Sequence, residues 1–144
     1  MTDPAIRALG IDLGSKRIGV AIGDRTGTIA SPLQVLQRSG SVRRDHQAIA
    51  AIVVEEEVDI VVVGLPLNMN GSSGPAAKAA IDEAAALATV VAVPVVTFDE
   101  RRTTVTADQA MMEFKMRAEA RRRIVDKIAA AVMLQNWLDA GGPR

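Results

Sequence analysis

Hydrophobic and polar positions follow a strand-like pattern over the first third of the chain. Apolar residues dominate two segments, 6–13 and 17–24, and a third extended segment follows at 28–36. The turn between the first two contains Gly14, which adopts backbone conformations that β-branched residues do not, and this suits a hairpin. Three consecutive strands with short connections predict an antiparallel meander.

A different pattern begins in the second third of the chain. Apolar residues recur at helical spacing over 42–57, which predicts an amphipathic helix. Residues 59–64 form a β-branched run without alternation, as in a strand that is covered on both faces. The alanine-rich segment 75–92 predicts a second helix, which begins with a proline and takes Ser73 or Gly74 as its cap.

The remaining segments complete the fold class. Residues 94–98 predict another buried strand, Thr103 or Thr104 can cap the next helix, and a final helix is expected over about 119–138. The order β-β-β-α-β-α-β-α-α predicts an α/β fold in a single domain, 1–144. We expect one five-stranded mixed sheet, an antiparallel three-strand meander plus two parallel strands, with helices on both faces.

Composition and charge exclude several classes of protein. The 144 residues contain no cysteine, which excludes disulfides and thiolate metal sites. No apolar run reaches membrane-spanning length and the N-terminus lacks the pattern of a secretory signal, so we expect a cytoplasmic protein. Aromatic residues make up 2%, which argues against base-stacking RNA-binding platforms.

The balance of charge is neutral overall but uneven along the chain. With 17 basic and 17 acidic residues the net charge is zero, unlike that of a generic nucleic-acid binder. Residues 113–127, however, carry six basic and three acidic residues. This segment is either a solvated helix face or a surface for a polyanion.

Three acidic residues are candidates for a catalytic centre. Asp12 lies inside an apolar strand, Glu100 follows the last strand, and Asp126 lies in the final helix. In open sheets with crossover helices, ligands bind at the carboxyl ends of the parallel strands. Asp12 and Glu100 therefore share that edge if strands one and five run parallel and close together. Small residues at 129–131 would let the final helix lie close to the sheet, which would bring Asp126 near Asp12 and Glu100.

A cluster of three carboxylates requires cations. One pair about 4 Å apart repels by about 4 kcal/mol at an effective dielectric constant near 20. All-oxygen ligands suit Mg²⁺ or Mn²⁺, and such ions can promote in-line phosphoryl displacement. Two alternatives stay open at this point: Asp126 could pair with Arg122 or Arg123, and Glu100 could form a surface ion pair with Arg101.

Four segments of the sequence resemble one known family. GIDLGSKRIGVAIGD, VVVGLPLNMNGSSGP, VVTFDERRTT and IVDKIAAAVMLQNWLD, in this order, resemble the YqgF family. Its members are small bacterial ribonuclease H-like proteins, described both as Holliday junction resolvases and as nucleases that mature the small-subunit ribosomal RNA precursor. The resemblance implies a ribonuclease H-like fold and a catalytic, metal-binding site at Asp12, Glu100 and Asp126 with Mg²⁺ or Mn²⁺.

Polar and basic residues near these acids are candidates for binding substrate. The resemblance suggests that an arginine after the last strand and the loop at 68–74 approach the nucleic-acid backbone, and the hairpin turn and the final helix add further basic residues. The candidates are Arg101, Lys16, Arg17, Asn68, Asn70, Gly71, Ser72, Arg121, Arg122 and Arg123. The single histidine, His46, is expected at the solvated surface without a chemical role.

The function expected from the acidic residues is metal-dependent hydrolysis of phosphodiester bonds, and the resemblance implies that it serves maturation of the 5′ end of pre-16S rRNA. Cleavage of Holliday junctions in DNA and a non-catalytic RNA-binding role in ribosome assembly are alternatives. The opening GIDLGS also resembles the phosphate-binding start of the actin, heat-shock ATPase and sugar-kinase superfamily, but those proteins need two such domains. The protein is expected to act on nucleic acid as a monomer or weak homodimer.

Overall fold

A computed structural model describes residues 6–66, 74–99 and 118–142 of the chain, and over 118–127 it describes the backbone alone. The elements of these residues are β1 (Ala8–Leu13), β2 (Arg17–Gly23), β3 (Ala30–Gln37), α1 (Val42–Glu55), β4 (Ile60–Leu65), α2 (Pro75–Ala88), β5 (Val95–Asp99) and α3 (Ala118–Asp139). The helix predicted to follow Thr103 or Thr104 lies outside the described residues. None of the described helices is long and apolar enough to cross a membrane.

The five strands form one mixed sheet in the order β3-β2-β1-β4-β5. β1 pairs antiparallel with β2, and β2 with β3, which confirms the predicted meander. β4 pairs parallel with both β1 and β5. Strands one and five are therefore parallel, as expected, but they are not neighbours, because β4 lies between them.

Helices cover both faces of the sheet, as predicted. α1 and α2 cover one face and bury Ile49 and Leu87 against β1, β2 and β4. α3 covers the other face and buries Met133, Leu134 and Trp137 there. Burial of these apolar side chains on two sides of the sheet supplies most of the driving force for folding.

The bounds of the helices follow from local chemistry. α1 begins at Ser41, whose hydroxyl accepts a hydrogen bond from the backbone N–H of Arg44 at 3.3 Å. It ends before Glu57, whose φ of 53° lies in the left-handed region. α2 is capped by Gly74, one of the two predicted caps, and ends at Ala88, four residues earlier than predicted. There the Thr89 hydroxyl donates to the carbonyl of Ala86 at 2.7 Å.

Gly14 is required in the hairpin turn for a different reason from the one predicted. The φ angle of Gly14 is not positive. In the turns of the meander, a positive φ is found at Gly27, with a value of 71°. A Cβ on Gly14 would instead lie 2.5 Å from the carbonyl oxygen of Arg17. The turn is thus tight because two backbone segments touch, and only glycine leaves room for that contact.

Helix α3 lies very close to the central strand. A Cβ on Gly10 would lie 2.9 Å from the Cβ of Leu134 and 3.2 Å from the carbonyl oxygen of Ala130. Ala130 and Ala131 are themselves buried. The prediction that small residues bring this helix close to the sheet is therefore confirmed.

Candidate active site

Asp12 is the penultimate residue of β1, and its place in the strand determines which face it occupies. Side chains alternate between faces along a strand, so Asp12 shares a face with Ala8 and Gly10. Ala8 packs in the same cluster as the buried side chains of α3. Asp12 therefore lies on the α3 face, half-buried, at the carboxyl end of β1.

The positions beside Asp12 on the neighbouring strands carry no side chains. Asp12 pairs with Gly19 of β2. On β4, Val63 pairs with Ile11 and is followed by Gly64. Because glycine adds no atoms beyond the backbone, the sheet leaves space on both sides of the Asp12 carboxylate.

The carboxyl ends of β1, β4 and β5 lie at one end of the sheet because the three strands are parallel. We call this the Asp12 end. The chain leaves it from β4 into residues 67–73 and from β5 into residues 100–117, and both segments lie outside the described residues. The candidates that fall there are Glu100, Arg101, Asn68, Asn70, Gly71 and Ser72, whose roles stay predictions.

Two contacts give the direction of α3 across the sheet. The Gln135 side-chain oxygen accepts a hydrogen bond from the N–H of Ala30, at the end of the sheet opposite Asp12. Ala130, earlier in the helix, lies over Gly10 in the middle of β1. Followed toward its N-terminus, α3 therefore runs toward the Asp12 end.

Four predicted site residues lie on the N-terminal half of α3. Arg121, Arg122, Arg123 and Asp126 fall within 118–127, where the backbone alone is described. Within the side chains that are described, no group of three or more His, Cys, Asp or Glu residues could hold a metal ion. Convergence of Asp12, Glu100 and Asp126 therefore stays a prediction.

Lys16 and Arg17 lie on and beside the β1–β2 turn at the Asp12 end. Lys16 is exposed, and Arg17 begins β2 and is half-buried. The turn is closed by a hydrogen bond from the N–H of Gly14 to the carbonyl of Arg17, at 2.9 Å. The exposed ammonium group of Lys16 is thus carried by a short, rigid connection that follows Asp12 directly.

The prediction for His46 is wrong, because the histidine is almost fully buried, with 1% of its surface exposed. Its Nε2 lies 2.9 Å from a carboxylate oxygen of Glu83 on α2. One signal could have shown this: His46, Ile49 and Val53 are spaced three and seven residues apart, which places them on one face of α1.

Glu83 belongs to a partly buried ionic network at the same end of the sheet. The Arg38 guanidinium donates to both Glu83 oxygens, at 2.8 and 2.9 Å, and lies 4.0 Å from Asp45. Burial acts to raise the pKa of Glu83, but hydrogen bonds from Arg38 and His46 lower it below its usual value. Hydrogen bonding to Glu83 raises the pKa of Arg38. The sequence gives no sign of this network, because its members lie far apart in the chain.

The sheet order and the helices on both faces define a fold of the ribonuclease H-like class. Thermus thermophilus RuvC in complex with a Holliday junction substrate has a similar fold, with a TM-score of 0.58 and 16% identity over 94% of this chain and 96% of that chain. A second RuvC structure from that organism gives a TM-score of 0.55, also at 16% identity, over 94% of this chain and 97% of that one.

The family model RuvX, described as a Holliday junction resolvase, matches residues 6–140, and the chain belongs to this family. A Myxococcus xanthus protein named "Putative pre-16S rRNA nuclease" is 43% identical over 96% of this chain and 91% of its own length. A Mycobacterium leprae protein of the same name is 48% identical over 92% of this chain and 72% of its own. The resemblance read from the sequence is thus confirmed, and the chain is a hydrolase of the nuclease class.

Proposed function

We propose that this protein hydrolyses phosphodiester bonds in pre-16S rRNA, at the 5′ end, in the cytoplasm and with a divalent metal ion. The observation that carries the proposal is the place of Asp12: a half-buried carboxylate at the carboxyl end of the central strand, on the α3 face, next to Gly19. The names of the relatives in M. xanthus and M. leprae support the choice of substrate.

Asp12, Glu100 and Asp126 would form the catalytic, metal-binding set. Val96 and Phe98 of β5 pack in the α3-face cluster, and continuing that alternation by one step predicts the same face for Glu100. The direction of α3 supports an approach of Asp126 to the same end. The donors are hard oxygens, the chain has no cysteine, and its one histidine is bonded to Glu83, so the set fits Mg²⁺ or Mn²⁺.

When bound, such an ion supplies an activated water and stabilises the leaving oxygen. The residues of the chain bind and orient the substrate. Lys16, Arg17 and Arg101 would hold phosphates near Asp12, and Arg121–Arg123 with the 68–72 loop would hold the flanking backbone. We expect the affinity to fall steeply with salt, because each neutralised phosphate releases counterions.

The proposal is tested by cleavage of a pre-16S leader RNA by the wild type and by Asp12→Asn. We expect the variant to lose at least about a hundredfold in rate, because a carboxylate that organises the reacting charge is gone. Its RNA affinity should stay within about threefold, because an uncharged isostere replaces one anion. Full cleavage by Asp12→Asn would contradict the assignment, and binding without any cleavage by the wild type would favour the non-catalytic RNA-binding alternative.

Metal binding has a readout that is independent of activity. Mn²⁺ should raise the melting temperature of the wild type, because a ligand that binds only the folded state stabilises it. Asp12→Asn should lose most of that shift, whereas Asp24→Asn, which alters an acid at the other end of the sheet, should keep it. Equal shifts in all three proteins would argue against a site at Asp12.

Cleavage of Holliday junctions is the second candidate, supported by the description of the RuvX family. A symmetric cutter needs two active sites, so this function requires a homodimer on the junction, whereas RNA trimming requires only a monomer. Comparing cleavage of a four-way junction with cleavage of the leader RNA, together with the mass of each complex in solution, separates the two.

A further inference from the structure

We infer that Arg38 and Glu83 are positioning residues for nucleic acid: they hold the β1–β2 turn against α2 and thereby fix the place of Lys16 at the Asp12 end of the sheet. The inference rests on the proposed function, in which Lys16 binds the substrate backbone. It assigns a role to a partly buried ionic network that takes no direct part in the chemistry.

Arg38 holds the turn through two separate hydrogen bonds. Its Nε donates to the carbonyl oxygen of Gly14 at 2.8 Å. Its backbone N–H donates to the carbonyl oxygen of Lys16 at 2.9 Å. One residue beyond the end of β3 therefore fixes the backbone on either side of Ser15, next to the strand that carries Asp12.

The other end of the guanidinium is fixed to α2. Both terminal nitrogens donate to Glu83, and the Arg38 and Glu83 side chains are 17% and 16% exposed. Nε2 of His46 on α1 lies 2.9 Å from Oε2 of Glu83, the oxygen that also accepts from Nη1 of Arg38. Paired donors on a carboxylate define an orientation as well as a distance, so the turn, α1 and α2 are tied to one another.

Apolar packing does not replace this connection. A cavity of about 190 Å³ separates the turn from α2 and is lined by Gly14 and Ser15 on one side and by Ala76 and Ala79 on the other. Small side chains across a gap of this size make few contacts. The Arg38–Glu83 ion pair also lines the cavity and joins its two sides through hydrogen bonds.

The turn matters for substrate because of where it lies. Lys16 is exposed and reaches solvent from the Asp12 end of the sheet. α2, which Glu83 anchors, begins where the 68–74 candidate loop ends. The network thus links two segments that are proposed to contact the nucleic-acid backbone.

Arg7 provides a matched control at the opposite end of the sheet. Its Nε donates to the carbonyl of Gly23 at 3.1 Å, and its Nη1 donates to the carbonyl of Glu56 at 2.8 Å. Nη2 lies 3.5 Å from the Glu56 carboxylate. Arg7 also joins a strand end to a helix end, but it is remote from Asp12 and from Lys16.

The test is a double-mutant cycle of Lys16→Ala and Arg38→Met. The affinity for the leader RNA is measured by fluorescence anisotropy at several salt concentrations. Lys16→Ala should reduce the salt slope of the affinity by about one unit, the loss of one phosphate contact. Arg38→Met should reduce it by a similar amount, and the double variant by no more than either alone. Arg7→Met removes the same charge and should leave the slope unchanged.

Glu83→Gln keeps the shape of the carboxylate and guards against a failure of Arg38→Met to fold. We expect Glu83→Gln to raise KM for cleavage about threefold or more, with kcat within twofold, because the displaced turn weakens substrate binding. Additive effects of Lys16→Ala and Arg38→Met on the salt slope would overturn the inference, and so would equal effects of Arg38→Met and Arg7→Met. Cleavage of RNA by the wild type would in that case still support the proposed function. Absence of all cleavage would overturn the function instead.

Discussion

The two ends of the sheet use charged residues for different purposes. At the end opposite Asp12, which we call the Arg7 end, an acidic cluster at 56–59 is matched by arginines. Glu56 pairs with Arg7, Glu57 pairs with Arg25, and the Asp59 carboxylate accepts from the backbone N–H of Arg7 at 2.9 Å. The most acidic stretch of the sequence is therefore structural, whereas the proposed site is built around Asp12 at the end of β1.

Asp24 shows the same structural use of an acid at the Arg7 end. Its carboxylate accepts hydrogen bonds from the backbone N–H of Thr28 at 2.9 Å and from the hydroxyl of Thr26 at 2.8 Å. These bonds, the one from Thr28 first, hold the pKa of Asp24 well below its usual range. Here the carboxylate organises a turn, which is the ordinary role of aspartate in loops.

The largest effect in this comparison is expected for a glycine next to the proposed site. In Gly10→Ala the new Cβ meets Leu134 and Ala130 at 2.9 and 3.2 Å, so α3 must move away from β1. We expect a loss of about 1–3 kcal/mol in the free energy of unfolding. Cleavage by the folded protein should fall about tenfold or more, because catalytic geometry tolerates little displacement.

Gly23→Ala at the Arg7 end is the control. Its Cβ would lie 3.4 Å from the carbonyl oxygen of Ala8, which is an ordinary contact distance. Stability measured by urea denaturation and cleavage measured on leader RNA should both stay close to wild type. Equal loss of cleavage in the two variants would show that α3 spacing at Gly10 has no special link to the site.

A smaller effect is expected from loosening α3 at the Arg7 end. Gln135 accepts from the N–H of Ala30 at 2.9 Å and donates to the carbonyl of Thr28 at 2.8 Å. Gln135→Ala should cost about 1–2 kcal/mol in the free energy of unfolding, because two hydrogen bonds that join α3 to the meander are lost. Asn136→Ala, which loses one bond to Val132 within the helix, should cost less.

The same pair of variants tests the separation of stability from activity. Cleavage per folded molecule should stay within about twofold of wild type in both, since the altered contacts lie away from Asp12. A large loss of cleavage in Gln135→Ala alone would show that the Arg7 end contributes to catalysis.

The smallest effect is a dependence on pH at the Asp12 end. The folded state lowers the pKa of Glu83, which faces Arg38 and His46, and Asp45 lies 4.0 Å from the same Arg38 guanidinium. Its contribution to stability is therefore complete above the usual pKa of a glutamate and is lost in the acidic range below it, as the pH falls through the lowered pKa of the folded state. In urea denaturation across this range, the free energy of unfolding should fall less with decreasing pH for Glu83→Gln than for wild type. At neutral pH the variant should be the less stable of the two. Parallel curves would contradict the role of Glu83.

The sequence predicted the parts of the structure that depend on local pattern. The apolar segments of β1 and β2, the β-branched run of β4 and the Pro75 start of α2 predicted the order of elements, and the acid in β1 marked Asp12. The small residues around Ala130 correctly predicted close packing of α3. These features follow from periodicity and residue size, and both can be read from residues that are close together in the sequence.

What the sequence did not predict depends on contacts between distant residues. Arg38, His46 and Glu83 meet only because β3, α1 and α2 fold against one another, and no spacing rule joins positions so far apart. The reason for Gly14 was likewise a backbone contact rather than a φ value. Side-chain meeting points of this kind require the tertiary structure.

The central claim is that hard cations bind at Asp12 and not at the acidic cluster of the Arg7 end. It is tested most directly by crystals of the protein grown with Mn²⁺ and measured for anomalous scattering. We predict a peak within about 2.5 Å of the Asp12 carboxylate, shared with Glu100 and Asp126. A peak only at residues 56–59, or none near Asp12 in protein that cleaves RNA with Mn²⁺, would contradict the account.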